Sequence, residues 1–243
     1  MTTTTAIRCW HFAAGKLRDG KTLPKAGETL THDGPVVPCE SGYHGSVRAI
    51  DALEYAPGPF VSIRDLSGTV ESHGSPIDKY AASEASHPFG YVDATNLLHR
   101  FACWCATQAL DNEEKAGRKV DPRSREAIRV KYAWLDGEVD DSVLAAARAA
   151  AGDAARAAAG AAAGAAAWAA AWAAAGAAAG DAAGDAARAA AGDAAWDAAG
   201  DAAWDAAGAA AWDAAWAAGW DAARAAQNTE LEHLLTELLE ASK

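Results

Sequence analysis

The sequence predicts an α+β N-terminal domain followed by an all-α, Ala-rich helical repeat region folded into several packed helices. Three observations carry the prediction. Short apolar runs bounded by Gly and Pro fill residues 1–92, which should form a small α+β domain. Residues 93–143 show helix-start signals and apolar positions at helical spacing, as connecting helices would. From Leu144 almost every residue is Ala, Gly, Trp, Asp or Arg, which sets apart a repeat region (144–226) and leaves an amphipathic Leu-rich helix (227–243) at the C-terminal side.

In the first region IRCWHFAAG (7–15) and FVSIRDLSG (60–68) have strand-like apolar content ending at Gly. Between them SVRAIDALEYAPG places Val47, Ile50 and Leu53 on one helical face and stops at Pro57. RDGK, HDGP and ESGYHGS read as turns, so four to six strands and one or two short helices are expected. The second region opens with VDATNLLHRFACWCATQAL, where Asp93 or Thr95 is a suitable N-cap and Leu97, Leu98, Phe101, Cys105 and Leu110 follow with helical periodicity. DPRSREAIRVKYAWLDG (121–137) gives another helix, with Pro122 in its first turn and Gly137 past its end. Cys103 and Cys105 diverge by about 200° on a helix, so they read as core residues and not as a chelating pair.

The repeat is explicit. From Arg148 to Arg224 every fourth residue is Gly, Trp or Arg, with Ala or Asp between them and Gly219 as one interruption. Those three residue types share no physical property, but their codons GGG, TGG and CGG differ only in the first base, which points to a reiterated twelve-base DNA unit diversified by single substitutions. Each repeat advances about 400°, so the fourth-site stripe shifts about 40° per repeat around a straight helix. Trp196, Trp204, Trp212, Trp216 and Trp220 would then span roughly 240° of one rod, too wide for a single buried face. The region is therefore expected to break into helices that pack on one another, with a turn in GAAAGDAAGD (176–185), Gly at the close contacts, and the Trp residues, Trp168 and Trp172 included, filling the gaps. In NTELEHLLTELLEASK, Thr229 and Glu232 match a capping box, and Leu231, Leu234, Leu235, Leu238 and Leu239 form an apolar stripe. That stripe must dock either on its own chain or on a second protomer, and a homo-oligomer through this helix or the repeats is the expectation favoured here.

Composition excludes several classes. A net charge of -12 and a pI near 4.9 disfavour nucleic acid, which needs clustered Lys and Arg. The opening MTTTTAIRCW does not read as a secretory leader, and four scattered cysteines do not make a disulfide framework, so a reducing, cytoplasmic setting is expected. Residues 157–180 are uncharged and long enough to span a bilayer, with Gly160 and Gly164 at small-xxx-small spacing, yet they hold no Leu, Ile, Val or Phe. A membrane-associated or ice-binding Ala-rich helix is thus a minor alternative, the second because irregular Trp, Arg and Asp spoil a flat face.

ETLTHDGPVVPCESGYHGS with KYAAS and VDATNLLHRFA, the Ala/Trp/Arg/Gly repeat and the closing QNTELEHLLTELL together resemble an uncharacterised family of phage and prophage proteins. The signature of that family is Cys-x-x-Gly-Phe-His, matched here by Cys39, Gly42, Tyr43 and His44 with Tyr in place of Phe. RFACWCATQAL, DPRSREAI and DGE are also similar to helical modules of proteins described as bacterial immunity proteins. The resemblance implies architecture and a phage or bacterial-host setting, not chemistry. His11 on a strand, the Gly-Tyr-His turn with Tyr43 and His44, and the later Glu71 also resemble the scaffold of NAD-using ADP-ribosyltransferases. The resemblance implies that the His and Tyr would hold the nicotinamide ribose and ring and the Glu would stabilise an oxocarbenium-like transition state. Cys39 with His44 is a weaker candidate for a dyad or half a zinc site, and no metal is expected. The preferred reading is a non-enzymatic binding or scaffold protein without a cofactor, whose N-terminal domain recognises a small ligand or host protein while the helical region displays or multimerises it.

Overall fold

The computed structural model describes residues 6–117, 119–158 and 209–242, with side chains omitted at 153–158 and 209–220. The expected turn at 176–185 and Trp168, Trp172, Trp196 and Trp204 lie outside the described residues, as do the side chains of Trp212, Trp216 and Trp220. The protein combines an antiparallel six-stranded sheet with helices, an α+β architecture, and its contacts form two units, Met1–Thr95 with Asn228–Lys243 and Asn96–Gln227.

In the first unit the strands are β1 (Ile7–Ala13), β2 (Thr29–Thr31), β3 (Tyr43–Gly45), β4 (Phe60–His73), β5 (Lys79–Ser86) and β6 (Val92–Asp93), with helix α1 (Ala49–Glu54) between β3 and β4. The sheet order is β1-β4-β5-β2; β3 also pairs with β5, and β6 with β4. β1 and β4 are in register from Ile7 opposite Leu66 to Ala13 opposite Phe60. β4 shifts register between Ser67 and Val70, beside Gly68, whose φ of +76° and closeness to the Ser83 hydroxyl leave no room for a side chain. Trp10 and Ser46 exchange main-chain hydrogen bonds of 2.7 and 3.1 Å, so the end of β3 also meets β1 and the sheet curls. Only a glycine allows that approach, because a Cβ on Gly45 would lie 2.6 Å from the Cys9 Cβ. Cys9, Leu66, Ala82 and Ala85 form the apolar core of the sheet, flanked by Ile7, Tyr43, Val70 and Tyr80.

The C-terminal residues complete this unit. Helix α5 runs unbroken from Ala209 to Ala241, through Gly219 and through Thr229, where the capping-box pattern predicts a new helix start. Glu232 caps a different helix: its Oε1 accepts the Ala49 N–H at 3.1 Å, and Asn228 Oδ1 accepts the Ile50 N–H at 3.1 Å. Both serve the N-terminus of α1, whose own N-cap residue Arg48 makes no side-chain cap. Leu231, Leu235 and Leu239 are buried within the chain itself, while Leu234 and Leu238 are half-buried. The stripe expected to dock on either its own chain or a second protomer is thus covered intramolecularly.

The second unit holds α2 (Thr95–Lys115), α3 (Pro122–Leu135), α4 (Asp141–Ala158) and the N-terminal part of α5. Asp93 Oδ1 accepts the Thr95 N–H at 2.8 Å ahead of α2, and Asp121 accepts the Arg123 N–H at 2.9 Å ahead of α3, with Pro122 at its first position. Ala102, Cys103, Ala106, Leu110 and Ile128 form the α2–α3 core, and Ala127 meets Ala151 between α3 and α4. Both cysteines of the CWC stretch are buried and in no disulfide, and burial pushes the Cys103 thiol up to about 12. Among the described residues no helix is long and apolar enough to cross a membrane.

Candidate functional site

The site starts from strand parity. Side chains alternate across a sheet, and antiparallel partners share a face, so the pairs Cys9 with Arg64 and His11 with Ser62 put these four side chains and Leu66 on one side. Arg64 is therefore a charged residue at a core position, and it is only 2% exposed. β5 ends at Ser86, opposite Asp65, which leaves His87 next along the chain. The His87 main chain is held by bonds of 2.9 Å to Glu28 and 2.8 Å from Gly27, and its side chain is 1% exposed. The chain then returns through Phe89, whose carbonyl accepts the Ser62 hydroxyl at 3.0 Å, and brings Tyr91 over the sheet.

Tyr91 links the two strands. Arg64 Nη2 donates to Tyr91 Oη at 2.6 Å, and Tyr91 Oη lies 2.7 Å from His11 Nδ1. A guanidinium can only donate, so the phenol accepts from Arg64, while the bond to His11 runs either way with the His11 tautomer. His11 is the neutral imidazole, its pKa held well below the usual 6.5 by burial, then by Arg64, His87 and His44. Tyr91 also sets its ring edge-on to His11, 5.9 Å between centroids, and 6.0 Å from His87. Burial raises its phenol above the usual range against the pull of Arg64.

Two buried groups of this cluster have unmet hydrogen-bonding capacity. Arg64 Nε and both ring nitrogens of His87 have no hydrogen-bond partner. Burial, then Arg64, lowers His87 to about 4; the main chain and carboxylate of Glu28 act in the opposite sense without meeting hydrogen-bond geometry at the ring. Among the described residues Arg64 makes no ion pair with any carboxylate. His11, His44 and Tyr91 are half-buried, so the cluster reaches solvent on their side.

Of the four residues singled out by sequence, His11 and His44 join this cluster. Burial, then Lys79, Arg64 and Arg18, lower His44 to about 4, and its Nε2 accepts the Cys39 N–H at 3.0 Å. Cys39 thus meets His44 through its amide, not its thiol, and holds a φ of +71° with its carbonyl accepting Arg18 Nη1 at 2.7 Å. Tyr43, which diverges from its strand neighbour His44, donates its hydroxyl to the Thr31 carbonyl at 3.0 Å. Glu71 is exposed beyond the β4 bulge, and its carboxylate is not among the charges acting on His11 or His44. Arg64, His87 and Tyr91 escaped the sequence reading; the usable signal was an arginine sharing strand parity with Leu66. Among the described residues no group of His, Cys, Asp or Glu is placed to hold a metal ion.

Arg64 stays charged at any physiological pH and is buried with an unpartnered N–H among neutral imidazoles, and no described carboxylate neutralises it. No protein-family model, curated protein or solved structure matches the chain.

Proposed function

We propose that the chain is a non-enzymatic binding and scaffold protein of phage or prophage type, working in the cytoplasm of a bacterial host, whose sheet-bearing unit recognises a small anionic ligand. The observation that carries this reading is Arg64, 2% exposed, with Nε unpartnered and, among the described residues, no carboxylate paired to it. An uncompensated buried charge costs several kcal/mol, and an anionic ligand would supply the counter-charge that the described residues lack. The helical repeats display or multimerise this module; with the Leu stripe of α5 covered by its own chain, any self-association falls to the repeats. The transferase alternative needs Tyr43 and Glu71 beside His11, and neither side chain makes a contact that supports it.

The test is the melting temperature of the full chain at low ionic strength against phosphate, sulfate, acetate and citrate, with Arg64→Met alongside. At least one anion should stabilise the wild type and none should stabilise the variant. An unchanged wild-type melting temperature with every anion refutes the proposal.

A further inference from the structure

We propose that residues 87–91 form an acid-released latch on the core face of the sheet: protonation of His11 and His87 beside Arg64 lifts Tyr91 from the guanidinium while the strands stay paired. This goes beyond the anion-binding reading above and does not depend on it.

The segment is built to move apart from the strands. β5 leaves β4 at Ser86, opposite Asp65, and the chain rejoins β4 at Val92, opposite Val61, so residues 87–91 arch over residues 62–64 of β4. Main-chain bonds hold the ends of the arch, at His87 through Glu28 and Gly27 and at β6 through β4. Between those ends the ties are side-chain bonds: Ser62 Oγ donates to the Phe89 carbonyl at 3.0 Å, and Arg64 Nη2 donates to Tyr91 Oη at 2.6 Å. β1 and β4, by contrast, share a ladder from Ile7 to Ala13, and breaking Tyr91 away costs that ladder nothing.

Tyr91 is also where positive charge collects on acidification. Its Oη is bonded to Arg64 and lies 2.7 Å from His11 Nδ1, which puts a fixed charge and an imidazole within two hydrogen bonds of each other. A neutral His11 can accept the phenol hydrogen, whereas an imidazolium carries hydrogen on both nitrogens and can only donate. Oη would then face two charged donors, and like charges this close in a buried site repel. The His87 ring, 6.0 Å from the Tyr91 ring between centres, brings a third charge from within the arch itself. Its two nitrogens are buried and unpartnered, so they reach water when the arch lifts.

The surroundings do not absorb this charge. His44 of β3 acts on His11 in the same sense as Arg64 and His87, and Lys79 and Arg18 act likewise on His44. Cys9 shares the face of His11, but burial pushes its thiol up to about 12. Glu28 acts on His87 in the opposite sense. Asp65 is bonded to Arg8 at 2.9 Å, and Asp51 of α1, which packs on β1, lies 3.8 Å from Arg48; neither is among the charges acting on His11. Each imidazole hinders the protonation of the others while the arch is closed, and all gain protons as it opens, so the opening is steeper than a one-proton curve. All three are held below 6.5 in the fold, His44 and His87 at about 4, so the closed arch is intact above pH 6.5 and is lost as the pH falls toward 4.

The experiment is two-dimensional NMR of the full chain titrated from pH 7 to pH 4, with His11→Gln and His87→Leu alongside. The amide signals of Phe89, Gly90 and Tyr91 should shift in one transition steeper than a single proton allows, while those of β1 and β4 keep their native positions. His11→Gln should move the midpoint down by about 0.5 pH unit or more, and His87→Leu should make the transition shallower. Arch signals that follow a one-proton curve overturn the proposal. So do arch signals that hold until those of β1 and β4 are lost, since the sheet unit would then unfold as a whole. A transition unchanged in both variants overturns it as well; if one variant does not fold, the wild-type titration and the other variant decide.

Discussion

Each unit of the molecule buries a cation with an unpartnered nitrogen, and the two solve the problem differently. In the sheet unit it is Arg64, with Nε free and Nη2 on Tyr91. In the helical unit it is Lys131, fully buried, with Nζ unpartnered and 3.9 Å from the centre of the Trp134 ring. A lysine can escape its burial by losing a proton: desolvation lowers Lys131 to about 8, against a smaller opposite pull from Cys103. What remains near neutrality is an ammonium over an indole face, a contact stable enough without a ligand. An arginine has no neutral form to retreat to. The same observation, an unpartnered buried nitrogen, therefore leaves a fixed charge for the proposed ligand in one unit and is an ordinary core compromise in the other.

Substituting each cation by methionine tests this contrast most strongly. Without ligand, Arg64→Met should stabilise the sheet unit by about 1–4 kcal/mol while abolishing binding, since it removes a charge that has no counter-ion. A loss of several kcal/mol instead would mean that the guanidinium is satisfied by the protein alone, and the contrast would collapse. Lys131→Met should also stabilise, but by an amount that depends on pH. Between about pH 8 and 10.5 the unfolded chain holds the Lys131 proton and the folded chain does not, so wild-type stability rises with pH there. The advantage of the variant should therefore shrink across that window, by about 3 kcal/mol at most. Denaturant unfolding at pH 7, 8.5 and 10 would read it, and a constant difference would show that Lys131 stays charged throughout.

An effect of the same size, on the acid side, belongs to His87. Its pKa of about 4 in the fold lies below the usual 6.5, so the unfolded chain takes up the proton first as the solution is acidified. Its contribution is intact above pH 6.5 and is lost as the pH falls toward 4, at about 1 kcal/mol per pH unit. His87→Leu should flatten that part of the acid limb. His99, lowered to about 4 by burial and then by Lys131, keeps its own share in the helical unit. An acid limb in His87→Leu as steep as the wild type's would place the His87 ring in water.

What the sequence made legible was local. The strands at 7–13 and 60–73, the short helix before Pro57, and the starts of α2 and α3 follow from alternation, Gly and Pro positions, and acidic caps, all of which act within a few residues. The site was not legible, because it depends on register. Arg64 looks like any strand arginine until the pairing with Cys9 turns it to the core face, and Tyr91 is a loop residue until the Ser62 bond to Phe89 fixes its return. Thr229 and Glu232 show the converse failure. Their capping-box spacing is genuine as a local pattern, but the helix preceding them continues, so the backbone N–H groups they would cap are already bonded inside α5 and Glu232 serves α1.

That relocated cap gives the smallest expected effect. Ala49 and Ile50 reach acceptors 183 and 178 residues away in sequence, Glu232 and Asn228, and α1 has no side-chain cap from Arg48. Asn228→Ala removes one acceptor and should cost about 0.5–2 kcal/mol, whereas Glu232→Gln keeps an acceptor oxygen and loses only the charge, worth about 0.3–1 kcal/mol. Hydrogen exchange separates this from a general loss of stability: the α1 amides of Asn228→Ala should exchange faster while those of α3 keep wild-type rates. Should α1 be unaffected, its N-terminus would be satisfied by water, and the tail would be held to the sheet unit by Leu231, Leu235 and Leu239 alone. Should α3 exchange faster as well, the two units would unfold together, and the contrast between Arg64 and Lys131 would have to be measured as one equilibrium instead of two.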